Sequence, residues 1–195
     1  MNVEAVARAH TIAVLVDNEA GVLARVVGLF SGRGYNIESL TVAEVDAVKR
    51  MSRITIVTKG TPMVIEQIKN QLGRLVPVHA VQDLTSEGPH VARELALIKV
   101  EGTGERRVES LRIADIFRAR AVDSTTHSFI FEMTGSTEKL DAFIGLMRPL
   151  GLVEVSRTGV VAIRRGASGF ENAKAARADG DERPRVKKQR VKVKS

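Results

Sequence analysis

The groups in this chain whose types and spacing suit recognition of a small charged molecule meet in Asp17-Asn18-Glu19-Ala20-Gly21-Val22. The apolar run Thr11 to Val16 before this segment reads as a buried strand, and Val22, Leu23, Val26, Val27 and Phe30 after it recur at helical spacing. The segment is therefore a strand-to-helix turn. Amides at a helix start have no internal partner and carry the positive end of the helix dipole, so a carboxylate can bind there. Gly21 has no side chain to block those donors, and Asn18 offers both an acceptor and a donor, as a ligand with an ammonium and a carboxylate requires. At this level Asn18 serves equally well as a plain helix cap. Asn36, in Gly34-Tyr35-Asn36-Ile37-Glu38, is a second polar position between that helix and the next strand. Alone it is a turn residue. If two chains pair through an exposed strand edge, Asn36 of one faces the Asn18 loop of the other and closes a pocket at their boundary.

Patterns for catalysis are missing from the sequence. It contains no cysteine, which removes disulfides, thiolate metal sites and thiol nucleophiles and points to a reducing compartment. His10, His79, His90 and His127 lack the spacing of a metal pair and are expected in structural or exposed roles. No nucleophile elbow or phosphate loop occurs, and Gly102-Thr103-Gly104 has arginine at 107 where a dinucleotide fingerprint needs glycine. Phe129-Ile130-Phe131 has no basic-glycine-aromatic block beside it, so it reads as packing rather than base stacking.

The elements that position the turn follow a regular order. After the first strand and helix, Ile37 to Val45 and Arg53 to Thr58 form a hairpin. Thr61-Pro62 opens a helix carrying Ile65, Ile68, Leu72 and Leu75, and Val78 to Leu84 is a fourth strand. Thr85 to Pro89 is turn-rich. A second cycle then runs through a strand at Leu95 to Val100, a helix marked by Val108, Leu111, Ala114 and Phe117, and strands at Ala121 to Thr125 and Ser128 to Met133. It closes with a helix opened by Ser136 and a β-rich end from Leu152 to Ile163 with a turn at Thr158-Gly159. The expected fold class is α+β: two ferredoxin-like βαββαβ domains, each an antiparallel sheet with both helices on one face. The boundaries are an extension at 1–9, a first domain at 10–84, a linker at 85–92, a second domain at 93–166 and a basic tail at 167–195, expected to be disordered.

The 195 residues carry a net charge of +7, but Ser168 to Ser195 holds nine Lys or Arg against four Asp or Glu, so the tail accounts for +5 and the rest for +2. A polyanion-binding face is not indicated in the body. No signal peptide and no apolar run of about 20 residues is present, so the expected location is the cytoplasm.

The run Asn18 to Phe30, Arg33-Gly34-Tyr35-Asn36-Ile37-Glu38-Ser39-Leu40-Thr41-Val42, and the later blocks Lys139 to Phe143 and Glu154 to Ala162 closely resemble the small subunit of acetohydroxyacid synthase, also called acetolactate synthase. Its amino-terminal part is an ACT domain, and the resemblance extends from His10 to Gly166. It implies a second, ACT-like domain and a non-catalytic regulatory subunit. Such a subunit binds a large catalytic subunit, activates it and confers feedback inhibition by an end-product amino acid, usually valine, in valine, leucine and isoleucine biosynthesis. It implies a homodimer through the ACT domain, with Asn18, Gly21 and Val22 of one chain and Asn36 and Ile37 of its neighbour around the effector. It places no catalytic or metal residue on this chain, whereas thiamine diphosphate, magnesium and FAD belong to the catalytic subunit. Nucleic acid and membrane are not expected partners, and the second domain is expected to carry activation. Ala20 stands where the family often has serine, which removes a hydroxyl from the pocket, and the tail is longer than usual. The alternatives are a nucleic-acid-binding module on the same fold, using the basic tail, or an ACT sensor of a different enzyme.

Overall fold

A computed structural model describes residues 6–167 and 169–170. Most of the expected tail, and the first residues of the expected extension, fall outside that range.

The first unit comprises β1 (Arg8–Asp17), α1 (Val22–Ser31), β2 (Ser39–Asp46), β3 (Met51–Gly60), α2 (Pro62–Leu72) and β4 (Val78–Asp83). Its antiparallel sheet has the order β2-β3-β1-β4, which places the first strand centrally and leaves β2 and β4 as edges. Ile12, Val14 and Val16 of β1 and Ile54 and Ile56 of β3 point one way, toward Val22, Val26 and Phe30 of α1 and Ile65, Ile68 and Leu72 of α2. Period-2 alternation on the strands and 3.6-residue periodicity on the helices thus meet in one core. Thr61 caps α2 through its side chain and Pro62 occupies the first helical turn, as the sequence requires.

The second unit repeats the pattern with β5 (His90–Glu101), α3 (Gly104–Phe117), β6 (Arg120–Ser124), β7 (Ser128–Gly135), α4 (Thr137–Met147) and β8 (Leu152–Arg157), in the order β6-β7-β5-β8. The fold is therefore α+β, built from βαββαβ units with antiparallel sheets. Ala96, Ile98, Val100, Phe129, Phe131 and Met133 pack on Leu140, Phe143, Ile144 and Met147 of α4. Phe129 and Phe131 are both buried, so neither ring offers a stacking face. The apolar stripe expected on α3 is met at Ala114 and Phe117 but not at its start. Val108 and Leu111 are exposed, whereas Ser110 and Ala114 are buried with Ile113 and Phe117 against the core. The competing apolar residues on both sides of α3 gave no single face to read.

A further strand, β9 (Val161–Arg164), leaves the second sheet and pairs with the start of β5, His90 to Arg93. The strand thus begins inside the expected linker, because those four residues are recruited by β9, some 70 positions away. This two-stranded ribbon lies over the helix-free face of the first sheet. Arg53 donates to the Ala162 carbonyl at 2.7 Å, Thr41 Oγ1 donates to the Val160 carbonyl at 3.0 Å, and the Val160 amide donates to Ser39 Oγ at 2.9 Å. Ala13, Leu84 and Ala162 form a small buried cluster there, joined by Ala92 and Phe170. Gly159 makes the close approach possible: it sits at φ 81°, and a Cβ there would stand 2.7 Å from Ser39 Oγ.

Candidate functional site

β1 ends at Asp17, which pairs with Met51, and the next amide, of Asn18, donates to the Arg50 carbonyl at 2.7 Å. His79 Nε2 meets Asp17 Oδ1 at 2.6 Å and ties the strand end to β4. The chain then turns at Gly21, which is the N-cap of α1 at φ 86° in the left-handed region that favours glycine. No side chain caps α1 and no acidic residue lies in its first turn; the Val22 amide donates to the Glu19 carbonyl at 3.4 Å, and nothing lies within 4 Å of where a Gly21 Cβ would be. Capping is not the role of Asn18. Its side-chain Nδ2 instead donates to Glu44 Oε1 at 3.1 Å on the exposed surface. Glu44, on the edge strand β2, is a neighbour that sequence reasoning missed, because 26 residues separate the pair. Val22 is 4% exposed, its side chain committed to the core while its backbone remains part of the turn.

Asn36 is exposed. Its side-chain amide donates to Glu38 Oε1 at 3.3 Å and its carbonyl accepts from Thr58 Oγ1 at 2.6 Å, which fixes the backbone before β2. Ile37 is half-buried against the first core. The five expected effector residues therefore form two groups in one chain. Ser39 pairs with Val57, which pairs with Thr11, so Asn36 and Ile37 lie near the start of β1, whereas Asn18 lies past its end. At about 3.3 Å per residue the two groups are roughly 20 Å or more apart along the sheet. A single protomer does not bring them together.

Two other polar clusters carry distinct electrostatics. Asp83 is 1% exposed on its side chain and contacts His10 Nδ1 at 2.8 Å and Ser86 Oγ at 2.6 Å. Burial alone would raise its pKa. The Ser86 hydroxyl, His10 and the Thr85 amide overcome that and hold it below the usual carboxylate range. At the end of β8, Arg157 binds Glu94 through Nε and Nη2 at 2.8 and 2.6 Å, and Asp141 of α4 at 2.6 Å. The paired hydrogen bonds to Glu94 hold the guanidinium pKa well above its ordinary value, against the opposing effect of burial. These residues border a cleft of about 830 Å³ between the two units, whose wall also includes Glu38, Ser39 and Lys59 next to the Asn36 segment. Among the described residues, no group of three or more His, Cys, Asp or Glu could hold a metal ion, and no helix is long and apolar enough to cross a membrane.

The chain matches the family described as an AHAS small subunit-like ACT domain over residues 12–80, and that described as the small subunit of acetolactate synthase over residues 93–166. It is 50% identical over 157 residues to the probable acetolactate synthase small subunit of Archaeoglobus fulgidus, covering 80% of this chain and 97% of that one. It is 47% identical over 156 residues to the acetolactate synthase isozyme 3 small subunit of Escherichia coli, covering 80% and 94%. The crystal structure of the acetolactate synthase small subunit from Thermotoga maritima superimposes with a TM-score of 0.75 at 38% identity, over 83% of this chain and 99% of that one.

Proposed function

This chain belongs to the acetolactate synthase small-subunit family, and from that premise we propose that its β1–α1 turn is one half of an amino-acid effector site completed by a second copy of the chain. As a member it is the non-catalytic, regulatory small subunit in branched-chain amino-acid biosynthesis, and its partner is the large catalytic subunit. The finer reading assigns valine as effector, a homodimer through the first domain (10–84) and a tandem of two ACT-type domains, the second (93–166) carrying the contact that activates the catalytic subunit. The compartment is the cytoplasm.

The single observation that supports this reading is the separation of the two asparagines. Asn18 and Asn36 sit at opposite ends of one sheet whose outer strand, β2, has no partner on its free side among the described residues. A two-fold axis near Val42 would pair β2 with β2 of a sister chain in antiparallel register. Asp46 then lies opposite Glu38 of the sister, so the Asn18 loop, one step beyond Asp46, sits beside the sister's Asn36 and Ile37. Val42 is 45% exposed on this strand and would be covered by such pairing. The ligand carboxylate would meet the uncapped amides of α1, and the asparagine side chains would hold the ammonium and carboxylate. Valine bridging two chains favours one arrangement of the pair, and a coupling of about 1–3 kcal/mol suffices to change how the catalytic subunit is gripped.

The test is reconstitution with an acetolactate synthase catalytic subunit, titrated with valine, leucine and isoleucine. Wild type should activate and then respond to valine. Gly21→Asp places a carboxylate against the ligand's own and should keep activation while losing valine inhibition. Its folding cost is limited to about 1–2 kcal/mol of left-handed strain, because the space around Gly21 is open. Normal valine inhibition in that variant would show that the pocket lies elsewhere.

A further inference from the structure

A second concave site lies on the other face of the first sheet, where the β5–β9 ribbon crosses β2 and β3. It encloses about 380 Å³, at the small end of the range for ligand pockets of about 300–1,000 Å³. Its walls are branched aliphatic side chains, Val45, Val91, Val161 and Ile163, and its only charged lining groups among the described residues are two arginines, Arg53 from the sheet and Arg93 from the ribbon. Among the described residues, no carboxylate lines it.

Neither guanidinium has an acidic partner among the described residues. Arg53 Nη2 donates to the Ala162 carbonyl at 2.7 Å, its Nε is buried with no hydrogen-bond acceptor, and one face lies 4.9 Å from the Phe170 ring centre. Arg93 Nη1 donates to the neighbouring Ala92 carbonyl at 2.7 Å. Arg157, at the end of β8, shows the ordinary arrangement: it holds two carboxylates. A half-buried cation without an anion is costly, and burial accordingly pushes the Arg53 pKa below its usual value.

We propose that this groove binds a branched aliphatic monocarboxylate that lacks an amino group, of the 2-oxo acid or simple acid class, and so forms an effector site chemically distinct from the amino-acid site. The carboxylate lies between Arg53 and Arg93 and the alkyl branch lies on the valine and isoleucine walls. An amino acid is disfavoured because its ammonium would enter between two guanidiniums with no carboxylate to receive it. Because Val45 and Arg53 belong to the first unit and Arg93, Val161 and Ile163 to the ribbon of the second, an occupant fastens the two units together. This site is separate from the pocket at Asn18: the groove opens on the helix-free face of the sheet, whereas Glu44, which holds Asn18, and the start of α1 lie on the helix side.

Titration calorimetry of the full chain carrying Gly21→Asp, which blocks the amino-acid site and lies outside the groove, with 4-methyl-2-oxopentanoate and with leucine tests the inference directly. The oxo acid should bind once per chain, at least about tenfold tighter than leucine. Arg93 is exposed and Ile163 is 62% exposed, so Arg93→Gln and Ile163→Asp should fold normally. Each should weaken the oxo acid about tenfold or more while leaving valine inhibition of the reconstituted complex unchanged. No heat of binding at millimolar oxo acid, equal binding of leucine, or full binding by both variants would each overturn the proposal.

Discussion

Removing the Arg157 side chain should be among the most destabilising single changes available in the second unit, because it would leave a buried charge without its counterion. Glu94 is 5% exposed on its side chain and receives two hydrogen bonds from Arg157, with Thr137 Oγ1 at 3.4 Å as its further partner. Breaking a buried pair by deleting one member costs about 3–5 kcal/mol, most of it the uncompensated charge, and Arg157→Met should fall in that range. Asp141, at 58% exposure, faces solvent, so Asp141→Asn should cost about 1 kcal/mol or less although its distance to Arg157 is also 2.6 Å. The double change Glu94→Leu with Arg157→Met removes both charges and should recover most of the loss. Urea unfolding followed by far-ultraviolet circular dichroism, which needs no tryptophan, gives the four corners of the cycle. A cost of about 1 kcal/mol or less for Arg157→Met, or additivity of the two single changes, would refute the claim that burial rather than distance sets the strength of this pair.

The seam between the units should respond to Gly159→Ala, which combines left-handed strain of about 1–2 kcal/mol with a Cβ 2.7 Å from Ser39 Oγ. Losing the two Val160 hydrogen bonds adds about 0.5–1.5 kcal/mol each, and the loss should appear as faster hydrogen exchange at β9. Asp83, its pKa lowered in the fold, contributes stability that is fully present above the ordinary carboxylate pKa of about 4 and is lost as pH falls through the lowered value. The gap between wild type and Asp83→Asn in circular dichroism melts should therefore narrow as pH falls below ~4. Asn18→Ala removes only an exposed contact to Glu44, so stability should change by no more than about 0.5 kcal/mol. Its valine response in the reconstituted complex should nevertheless weaken more than tenfold, and a normal response would remove Asn18 from the site.

Much of this protein was legible in the residue order because local rules and global fold agree. The alternation of Ile12, Val14 and Val16, the Thr61-Pro62 and Ser136 helix starts, and Gly21 at the strand-to-helix turn each specify their element without help from distant residues. The long run from Asn18 to Val42 carried the family resemblance for the same reason: it is contiguous in sequence. Contacts between residues far apart in the chain were not readable. β5 starts at His90 only because β9 arrives to pair with it, and the phase of α3 follows from which side of an ambiguous helix meets β7 and α4. The Arg157 pair, the Asn18 to Glu44 bond and the unpaired guanidiniums of Arg53 and Arg93 depend on distances that no spacing encodes. Periodicity sets which face of an element is apolar, but only packing in three dimensions sets which charges end up together and which are left alone.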